Sequence, residues 1–335
     1  MDIFGHMPDG EPVGAVEISG GGLKAAILSY GSLLHDIRLA GHNAPLVLGY
    51  ADIKDHFPPS PYLGANCGRS INRIRDGKAN IDGKAYQLDQ NYLGKHNLHG
   101  GAIGISARNW TFVAVSKDEA VLEVRCPDGN MGFPGNLDVR ATYRLPGRGV
   151  LSVTLEAVTD APTICNLSHH SYFNLADGGR GSILDHELQV NAAAYLPVDS
   201  ELIPDGRVLP VAGKEFDFRQ MRPIRREKGG NQIGFDLNYC VAAARGALRH
   251  VASARSAASG VSMQCWSSEP GLQFYAGGGM ARPALSPGGF AYDNFAGFCL
   301  EAQVWPGFAE YPYFPQAILR PGQTSSQVTE YRFSR

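Results

Sequence analysis

The sequence has little of three things: long hydrophobic runs, clustered charge of one sign, and closely spaced cysteines. No apolar run approaches the ~20 residues that a membrane-spanning helix needs, and the first residues lack the basic and apolar regions of a signal peptide. The formal net charge is only −2, from 30 Lys and Arg against 32 Asp and Glu, with no basic stripe. We therefore expect a cytoplasmic protein that binds neither nucleic acid nor a membrane.

The cysteines are scattered along the chain, and no two of them form a Cys-x-x-Cys pair. This spacing argues against a zinc ribbon and against a dense disulfide scaffold. We predict that all of them are free thiols of the core, namely Cys67, Cys126, Cys165, Cys240, Cys265 and Cys299.

The amino-acid composition favours an all-β fold. Hydrophobic residues make up 44% of the 335 residues, and 41 Gly and 21 Pro accompany them. Short runs rich in Val, Ile, Leu, Tyr and Phe alternate with Gly, Pro, Asn and Asp, which is typical of a sandwich or a barrel. The length fits two ordinary domains or one large β-rich domain. Because no linker is evident, we predict one domain over residues 1–335.

Hydrophobic periodicity predicts the main strands. An opening hairpin pairs Leu23–Leu28 with Leu33–Leu39, and a polar, basic stretch at 221–231 is expected to be an exposed loop or a short helix. A Pro-broken loop is predicted at 57–62. A short strand is predicted at 45–49. Four strands of an antiparallel meander follow at 113–115, 120–125, 137–145 and 150–158. A C-terminal group of strands is predicted at 261–266, 272–275, 298–304 and 328–333.

Two adjacent histidines lie in a segment, 164–175, that reads as another strand with alternating apolar residues. Neighbouring side chains of a strand point to opposite faces of the sheet. Only one of His169 and His170 can therefore face a given cleft, and the other is expected to pack or to form hydrogen bonds within the protein.

Polar residues interrupt the apolar pattern at four other points. Asn72 and Arg73 lie in a loop, where such residues are usually solvated but can also bind sugar hydroxyls. His99 precedes two glycines, and Asp236 opens a strand, so each could simply belong to a turn. Glu301 is harder to dismiss, because an unpaired carboxylate inside an apolar strand costs several kcal/mol or takes up a proton.

Taken in order, these segments resemble the aldose 1-epimerase (galactose mutarotase) family across nearly the whole chain. One tetrapeptide would mean little, whereas the ordered set is very specific. The matching motifs are Gly-Arg-x-x-Asn-Arg-Ile at 68–74, Leu-His-Gly-Gly at 98–101, Pro-Gly-Asn-Leu at 134–137, Asn-Leu-x-x-His-x-Tyr-Phe-Asn-Leu at 166–175, Leu-Ile-Pro-x-Gly at 202–206, Phe-Asp-Phe-Arg at 216–219, Gly-Phe-Asp-x-Asn at 234–238, Pro-Gly-Leu-Gln at 270–273 and Leu-Glu-x-Gln at 300–303.

The resemblance implies a large antiparallel β-sandwich that interconverts the α and β anomers of a free monosaccharide, without metal or cofactor, as a monomer or homodimer. It implies that Glu301 is the catalytic base and that His170, protonated in the productive state, is the acid. His99 would bind near the ring oxygen. The remaining hydroxyls would be held by four further residues, namely Asn72, Arg73, Asp236 and Gln273.

Departures from the family pattern bear on which sugar is preferred, and three other functions remain open. His169 and Leu237 stand where family members commonly have Asn and His. A glycoside hydrolase could use Asp236 and Glu301 as its two carboxyls, although the natural acid here is an imidazole. A sugar-binding module would need no proton carrier. A metal site built from His99, His169 and His170 conflicts with the divergence of adjacent strand residues.

Overall fold

The computed structural model describes residues 1–58 and 61–335 and contains short strands joined by turns and 3₁₀ helices. The first fourteen strands are β1 Asp2–His6, β2 Pro12–Gly20, β3 Leu23–Leu28, β4 Leu33–Leu39, β5 Asn66–Cys67, β6 Arg73–Ile74, β7 Lys78–Ile81, β8 Lys84–Gln87, β9 Asn97–Leu98, β10 Thr111–Val115, β11 Glu119–Cys126, β12 Leu137–Gly147, β13 Val150–Thr159 and β14 Thr163–Ile164. The others are β15 Ser168–His169, β16 Glu187–Val190, β17 Ala194–Tyr195, β18 Leu209–Pro210, β19 Arg222–Pro223, β20 Glu227–Lys228, β21 Asn231–Gln232, β22 Asp236–Cys240, β23 Arg249–Arg255, β24 Ser262–Ser267, β25 Gly271–Tyr275, β26 Cys299–Gln303, β27 Ile318–Leu319 and β28 Ser325–Ser334.

The helical segments of the described residues are all single 3₁₀ turns, at Ile53–His56, Arg75–Gly77, Ile105–Ala107, Asn130–Gly132 and Ile183–Asp185. Within the described ranges, no helix has both the length and the apolar character needed to cross a membrane.

Three antiparallel sheets make up most of the protein. The largest has nine strands in the order β10-β11-β12-β13-β28-β24-β23-β16-β19. A four-stranded sheet, β1-β2-β3-β4, packs β2 against β11 and β12 of the large sheet. A five-stranded sheet has the order β18-β17-β22-β25-β26. This architecture confirms the predicted all-β antiparallel sandwich.

Alternating burial explains why the sheets pack as they do. Along β12, Leu137, Val139 and Tyr143 are buried while Asp138 and Arg140 face solvent. One face of the strand therefore joins a core cluster that extends from β2 to β28. Each fully buried aliphatic side chain of this kind stabilises the fold by about 1.5–3 kcal/mol.

The strongly alternating predictions are confirmed, and the weakly patterned ones are wrong in detail. The opening hairpin and the meander lie where the pattern indicated. The segment 45–49 is not a strand, because it forms only the single bridge from Val47 to Phe173. The segment 221–231 contains no helix but the short strands β19, β20 and β21, since Pro223 and two glycines with positive φ interrupt it. The loop predicted at 57–62 includes residues 59–60, which lie outside the described residues.

The histidine segment, 164–175, is not one continuous strand. Its strands are β14 and β15, two residues each, followed by a bridge at Phe173. The backbone of Asn166 forms a parallel bridge to Ser70, between the pairing of β14 with β27 and that of β15 with β5. The segment thus changes partners every few residues. The side chain of Asn166 binds yet another part of the chain: its Oδ1 accepts from Val304 N at 2.9 Å, and its Nδ2 donates to Val304 O at 3.1 Å.

Arg69, which belongs to the first matching motif, is a structural residue rather than a surface one. It is 2% exposed, and its guanidinium donates to Pro134 O at 2.9 Å and to Gly135 O at 2.8 Å. Further bonds reach Thr163 Oγ1 and Cys126 O, each at 3.2 Å. The Arg69 side chain thus connects the loop that contains it to the turn between β11 and β12.

Replacing Arg69 by Met should lower the free energy of unfolding by at least about 3 kcal/mol, because several buried carbonyl oxygens lose their charged donor at once. Chemical denaturation of the wild-type protein and of the Arg69→Met variant measures the difference. Arg125→Met, at an exposed arginine that pairs only with Asp138, is the control and should change stability by less than about 1 kcal/mol. Equal losses in the two variants would contradict the structural role of Arg69.

Candidate active site

A cleft of about 970 Å³ opens at the edge of the five-stranded sheet. All seven side chains that the sequence nominated line this one cleft, although they come from six separate parts of the chain. They are Asn72, Arg73, His99, His170, Asp236, Gln273 and Glu301.

The register of the five-stranded sheet explains how three of these side chains come together. Gln273 of β25 pairs directly with Glu301 of β26, and its partner in β22 is Asn238. Asp236 lies two residues before Asn238 in β22 and therefore faces the same side of the sheet. The intervening residues, such as Phe274 and Leu300, point to the opposite face and join the core. Strand alternation thus gives one apolar face for packing and one polar face for the cleft.

Glu301 and His170 face each other on the floor of the cleft. His170 Nε2 lies 3.6 Å from Glu301 Oε2, and the two residues are only 4% and 2% exposed. Among the described residues, Oε2 has no hydrogen-bond partner. A buried acceptor without a partner costs free energy, so the site is organised for a group that enters the cleft and bonds there.

Burial shifts the two ionisable groups in opposite directions. Burial first, and then the negative charge of Asp236, raises the pKa of Glu301 well above its usual value. Burial, with repulsion from Arg73, lowers the pKa of His170 to about 4. Because the pKa of Glu301 is raised above that of His170, the pair holds one proton at pH values between the two, and the uncharged arrangement, with that proton on Glu301, is favoured there.

His99 is held as a neutral hydrogen-bond donor. Its Nδ1 accepts from the backbone N of Asn72 at 3.2 Å, so the proton of the neutral ring lies on Nε2. Its ring meets that of His170 edge to face at 5.2 Å. Burial and the neighbouring His170 hold the pKa of His99 well below its usual range. Gly100 must be glycine, because a Cβ there would lie 2.0 Å from Gly68 O.

Arg73, Asp236 and Gln273 form a polar wall. Gln273 Nε2 donates to Asp236 Oδ1 at 2.6 Å, and Arg73 NH2 lies 3.5 Å from Asp236 Oδ2. The Arg73 guanidinium also lies over the ring of Tyr92, 4.7 Å from its centroid. The wall offers both donors and acceptors in fixed positions, which is what recognition of sugar hydroxyls requires.

His169 points away from the cleft, as strand alternation predicted. Its Nδ1 lies 3.0 Å from Asn66 Oδ1, and its Nε2 lies 2.7 Å from Ser171 Oγ. Burial, with a smaller contribution from His170, lowers the pKa of His169 to about 3. It is therefore a neutral, satisfied residue within the sandwich.

Sequence reasoning missed three residues that contact the two histidines of the cleft, His99 and His170. The ring of Tyr172 stacks on that of His170 at 5.2 Å, and Tyr62 meets His99 edge to face at 4.6 Å. Cys299 Sγ lies 3.6 Å from His170 Nδ1. A signal was available for Cys299, which is two residues from Glu301 in one strand and so shares its face.

His170, Cys299 and Glu301 are also the described residues whose ligand atoms come close enough to suggest a metal site, all within 4.8 Å of one another. The imidazole lies between the other two groups: Cys299 approaches Nδ1, while Glu301 approaches Nε2. A tetrahedral ion bonded to one ring nitrogen would need both partners on that same side. The arrangement is that of three side chains in a row rather than that of a chelate.

Known proteins show the same sequence pattern and the same fold. The family model described as aldose 1-epimerase matches residues 14–332. The chain is 38% identical to galactose mutarotase of Rattus norvegicus, over 99% of this chain and 97% of the relative, and 32% identical to aldose 1-epimerase of Escherichia coli (strain K12), over 97% and 96%.

Among solved structures, a GalM/aldose epimerase homologue from C. elegans superposes with a TM-score of 0.89 at 27% identity, covering 96% of this chain and 99% of that one. Galactose 1-epimerase from Lactobacillus acidophilus gives a TM-score of 0.84, also at 27% identity, with 98% and 97% covered. The chain therefore belongs to the aldose 1-epimerase family and is an isomerase that interconverts the α and β anomers of an aldose.

Proposed function

We propose that Glu301 and His170 carry out this mutarotation as a general base and a general acid. Glu301 takes the proton of the C1 hydroxyl while His170 gives one to the ring oxygen as the C1–O5 bond breaks. The open-chain aldehyde turns about its C1–C2 bond, and ring closure on the other face returns both protons. The observation that carries the proposal is the 3.6 Å approach of the buried imidazole and carboxylate in the cleft.

Substrate binding supplies the proton arrangement that the mechanism needs. In the empty cleft the shared proton is favoured on Glu301, whereas the reaction begins with an ionised Glu301 and a protonated His170. A C1 hydroxyl that donates to Glu301 stabilises the carboxylate, and a ring oxygen that accepts from His170 stabilises the imidazolium. The sugar therefore favours the transfer of one proton from Glu301 to His170, whose Oε2 and Nε2 atoms are 3.6 Å apart.

The other side chains of the cleft hold the sugar. His99 donates from Nε2 near the ring oxygen, and the polar wall of Arg73, Asp236 and Gln273 binds the remaining hydroxyls. The Oδ1 of Asn72 accepts from the backbone N of Arg73 at 2.9 Å, which leaves its Nδ2 for the substrate. Arg73 and Gln273 both engage Asp236, so Asp236 is committed to binding, and a second catalytic carboxyl for glycoside hydrolysis has no support.

Polarimetry of freshly dissolved α anomers tests the function, with galactose first because relatives at 36–38% identity are galactose mutarotases. Glucose, xylose, arabinose and fucose follow, since Leu237 and His169 depart from the family pattern. At least one sugar should equilibrate faster with protein than in buffer alone. Buffer-like rates for all of them would refute the proposal, and phenol release from aryl glycosides would favour a hydrolase instead.

The pH profile of kcat/KM should be a broad plateau, because the active free enzyme carries one proton on the pair. As pH falls through about 4, the pKa of His170, a second proton binds and Glu301 can no longer act as a base. As pH rises through the raised pKa of Glu301, the shared proton is lost and no acid remains. Initial rates across this range check the shape; a rate that stays constant as pH falls well below about 4 would contradict it.

We further propose that residues 1–335 act as one domain in the cytoplasm, as a monomer or homodimer. The largest core cluster includes residues of both β2 and β28, near the two ends of the chain. All six cysteines are unpaired thiols, which suits a reducing compartment. Sedimentation velocity distinguishes the two assembly states.

A further inference from the structure

Two buried amide side chains of the five-stranded sheet have no role in the mechanism, although each belongs to a matching motif. Asn238 ends the Gly-Phe-Asp-x-Asn motif, and Gln303 ends the Leu-Glu-x-Gln motif. They are 2% and 0% exposed, and neither lines the cleft. Both lie on the polar face of the five-stranded sheet, behind Gln273.

We infer that Asn238 and Gln303 are positioning residues that fix which way the amide of Gln273 faces, and thereby hold an N–H donor beside the carboxylate of Asp236. The inference rests on the binding roles proposed above for Asp236 and Gln273. It adds a pair of buried amides, remote from the substrate, that determine how the polar wall is presented.

The chain of hydrogen bonds begins at a backbone carbonyl, which can only accept. Asn238 Nδ2 donates to Tyr239 O at 3.2 Å, so Asn238 Oδ1 must face the other way. There it accepts from Gln303 Nε2 at 3.0 Å. Turning the Asn238 amide over would set its oxygen against the Tyr239 carbonyl and its NH₂ against another NH₂.

Gln303 in turn fixes the orientation of the Gln273 amide. Its Nε2 carries two protons, and the second goes to Gln273 Oε1 at 3.3 Å. Within the described part of the chain, Gln303 Oε1 has no partner. The amide nevertheless keeps this orientation, since the reverse one would point an oxygen at two acceptors. With its own oxygen held from behind, Gln273 must present Nε2 to Asp236 Oδ1, at 2.6 Å.

A glycine provides independent support for the same arrangement. A Cβ added at Gly271 would lie 2.6 Å from Asn238 Oδ1. The backbone of Gly271 is not in the left-handed region, so space rather than conformation requires glycine there. The sheet thus leaves room for this amide oxygen at the point where Gln303 binds it.

The consequence reaches the substrate. Gln273 Nε2 has one proton on Asp236 and a second available to the cleft, while Asp236 accepts. A sugar hydroxyl that bridges the two must accept from Gln273 and donate to Asp236. Were the Gln273 amide free to turn, its oxygen would face the carboxylate and the same hydroxyl would meet two acceptors.

The test is polarimetry of Gln303→Met, which keeps the shape of the side chain and removes both donors. We expect KM to rise about tenfold and kcat to change less than about threefold, because ground-state binding is weakened while the acid–base pair is untouched. Gln327→Met, at another buried amide outside the cleft, is the matched control and should leave KM unchanged.

A double-mutant cycle separates positioning from a general structural effect. In a Gln273→Ala background, Gln303→Met should raise KM no further, because there is no longer an amide to orient. An undiminished KM effect in that background would overturn the inference, as would an unchanged KM in the single variant.

If Gln303→Met fails to fold, the Gly271→Ala variant tests the inference instead, because its Cβ displaces Asn238 Oδ1 without removing a polar group. A raised KM supports the inference, and a wild-type KM overturns it. Absence of mutarotation by the wild-type protein would instead be a failure of the proposed function.

Discussion

Glu301→Gln is expected to reduce the rate of mutarotation by roughly 10²- to 10⁴-fold while leaving the fold intact, because an amide cannot take the proton of the C1 hydroxyl. The change is nearly isosteric, and it removes a buried acid that has an unpartnered oxygen. The native protein therefore loses little stability. Polarimetry measures the rate, and thermal unfolding measures the stability.

The chain offers a matched control in Glu269, a second fully buried carboxylate. It accepts from Arg245 Nε at 2.8 Å and 3.0 Å and lies outside the cleft. Glu269→Gln should cost about 3–5 kcal/mol of stability, since it breaks a buried ion pair, yet the folded fraction should turn over normally. The two variants thus separate chemistry from stability. A rate loss in Glu269→Gln that matches that of Glu301→Gln, per folded molecule, would remove the special role of Glu301.

Local periodicity was enough to predict the regular part of the fold. In β12 and β13 apolar and polar residues alternate, so both the strand and its buried face follow from neighbouring residues. The segment 164–175 could not be predicted in this way. Its backbone pairs in turn with β27, with Ser70 and with β5. Changes of partner between distant parts of the chain leave no periodic signal.

Some properties of the candidate site could likewise be predicted from the sequence, and others could not. Ordered motifs nominated the seven side chains that line the cleft, because residue types and their order are visible in the sequence. The location of the shared proton cannot be predicted from the sequence, because it depends on burial and on the charges of Arg73 and Asp236 across the cleft. The polarity of the amide chain behind Gln273 likewise follows from a single backbone carbonyl, that of Tyr239. Such properties belong to the three-dimensional arrangement.

His170→Asn should also reduce mutarotation by roughly 10²- to 10⁴-fold, because an amide cannot give up a proton to the ring oxygen. His99, which the proposed mechanism places near the same oxygen as a hydrogen-bond donor, cannot replace it as an acid. Its Nδ1 is bound to the backbone of Asn72, and its pKa is held well below the usual range. In this variant the fall in rate on acidification should begin above pH 4, at the raised pKa of Glu301, since that carboxyl group alone then titrates.

The adjacent histidine is the sharpest control for this result. His169→Asn makes the same substitution one residue away, and it removes the bonds of the imidazole to Asn66 and Ser171 on the far side of the strand. Losing two buried hydrogen bonds should cost about 1–3 kcal/mol of stability. The rate per folded molecule should stay within about threefold, because His169 does not reach the cleft. If His169→Asn lost as much rate as His170→Asn, the division of labour between the two faces of the strand would be wrong. If only His170→Asn did, one peptide bond would separate a structural imidazole from a catalytic one.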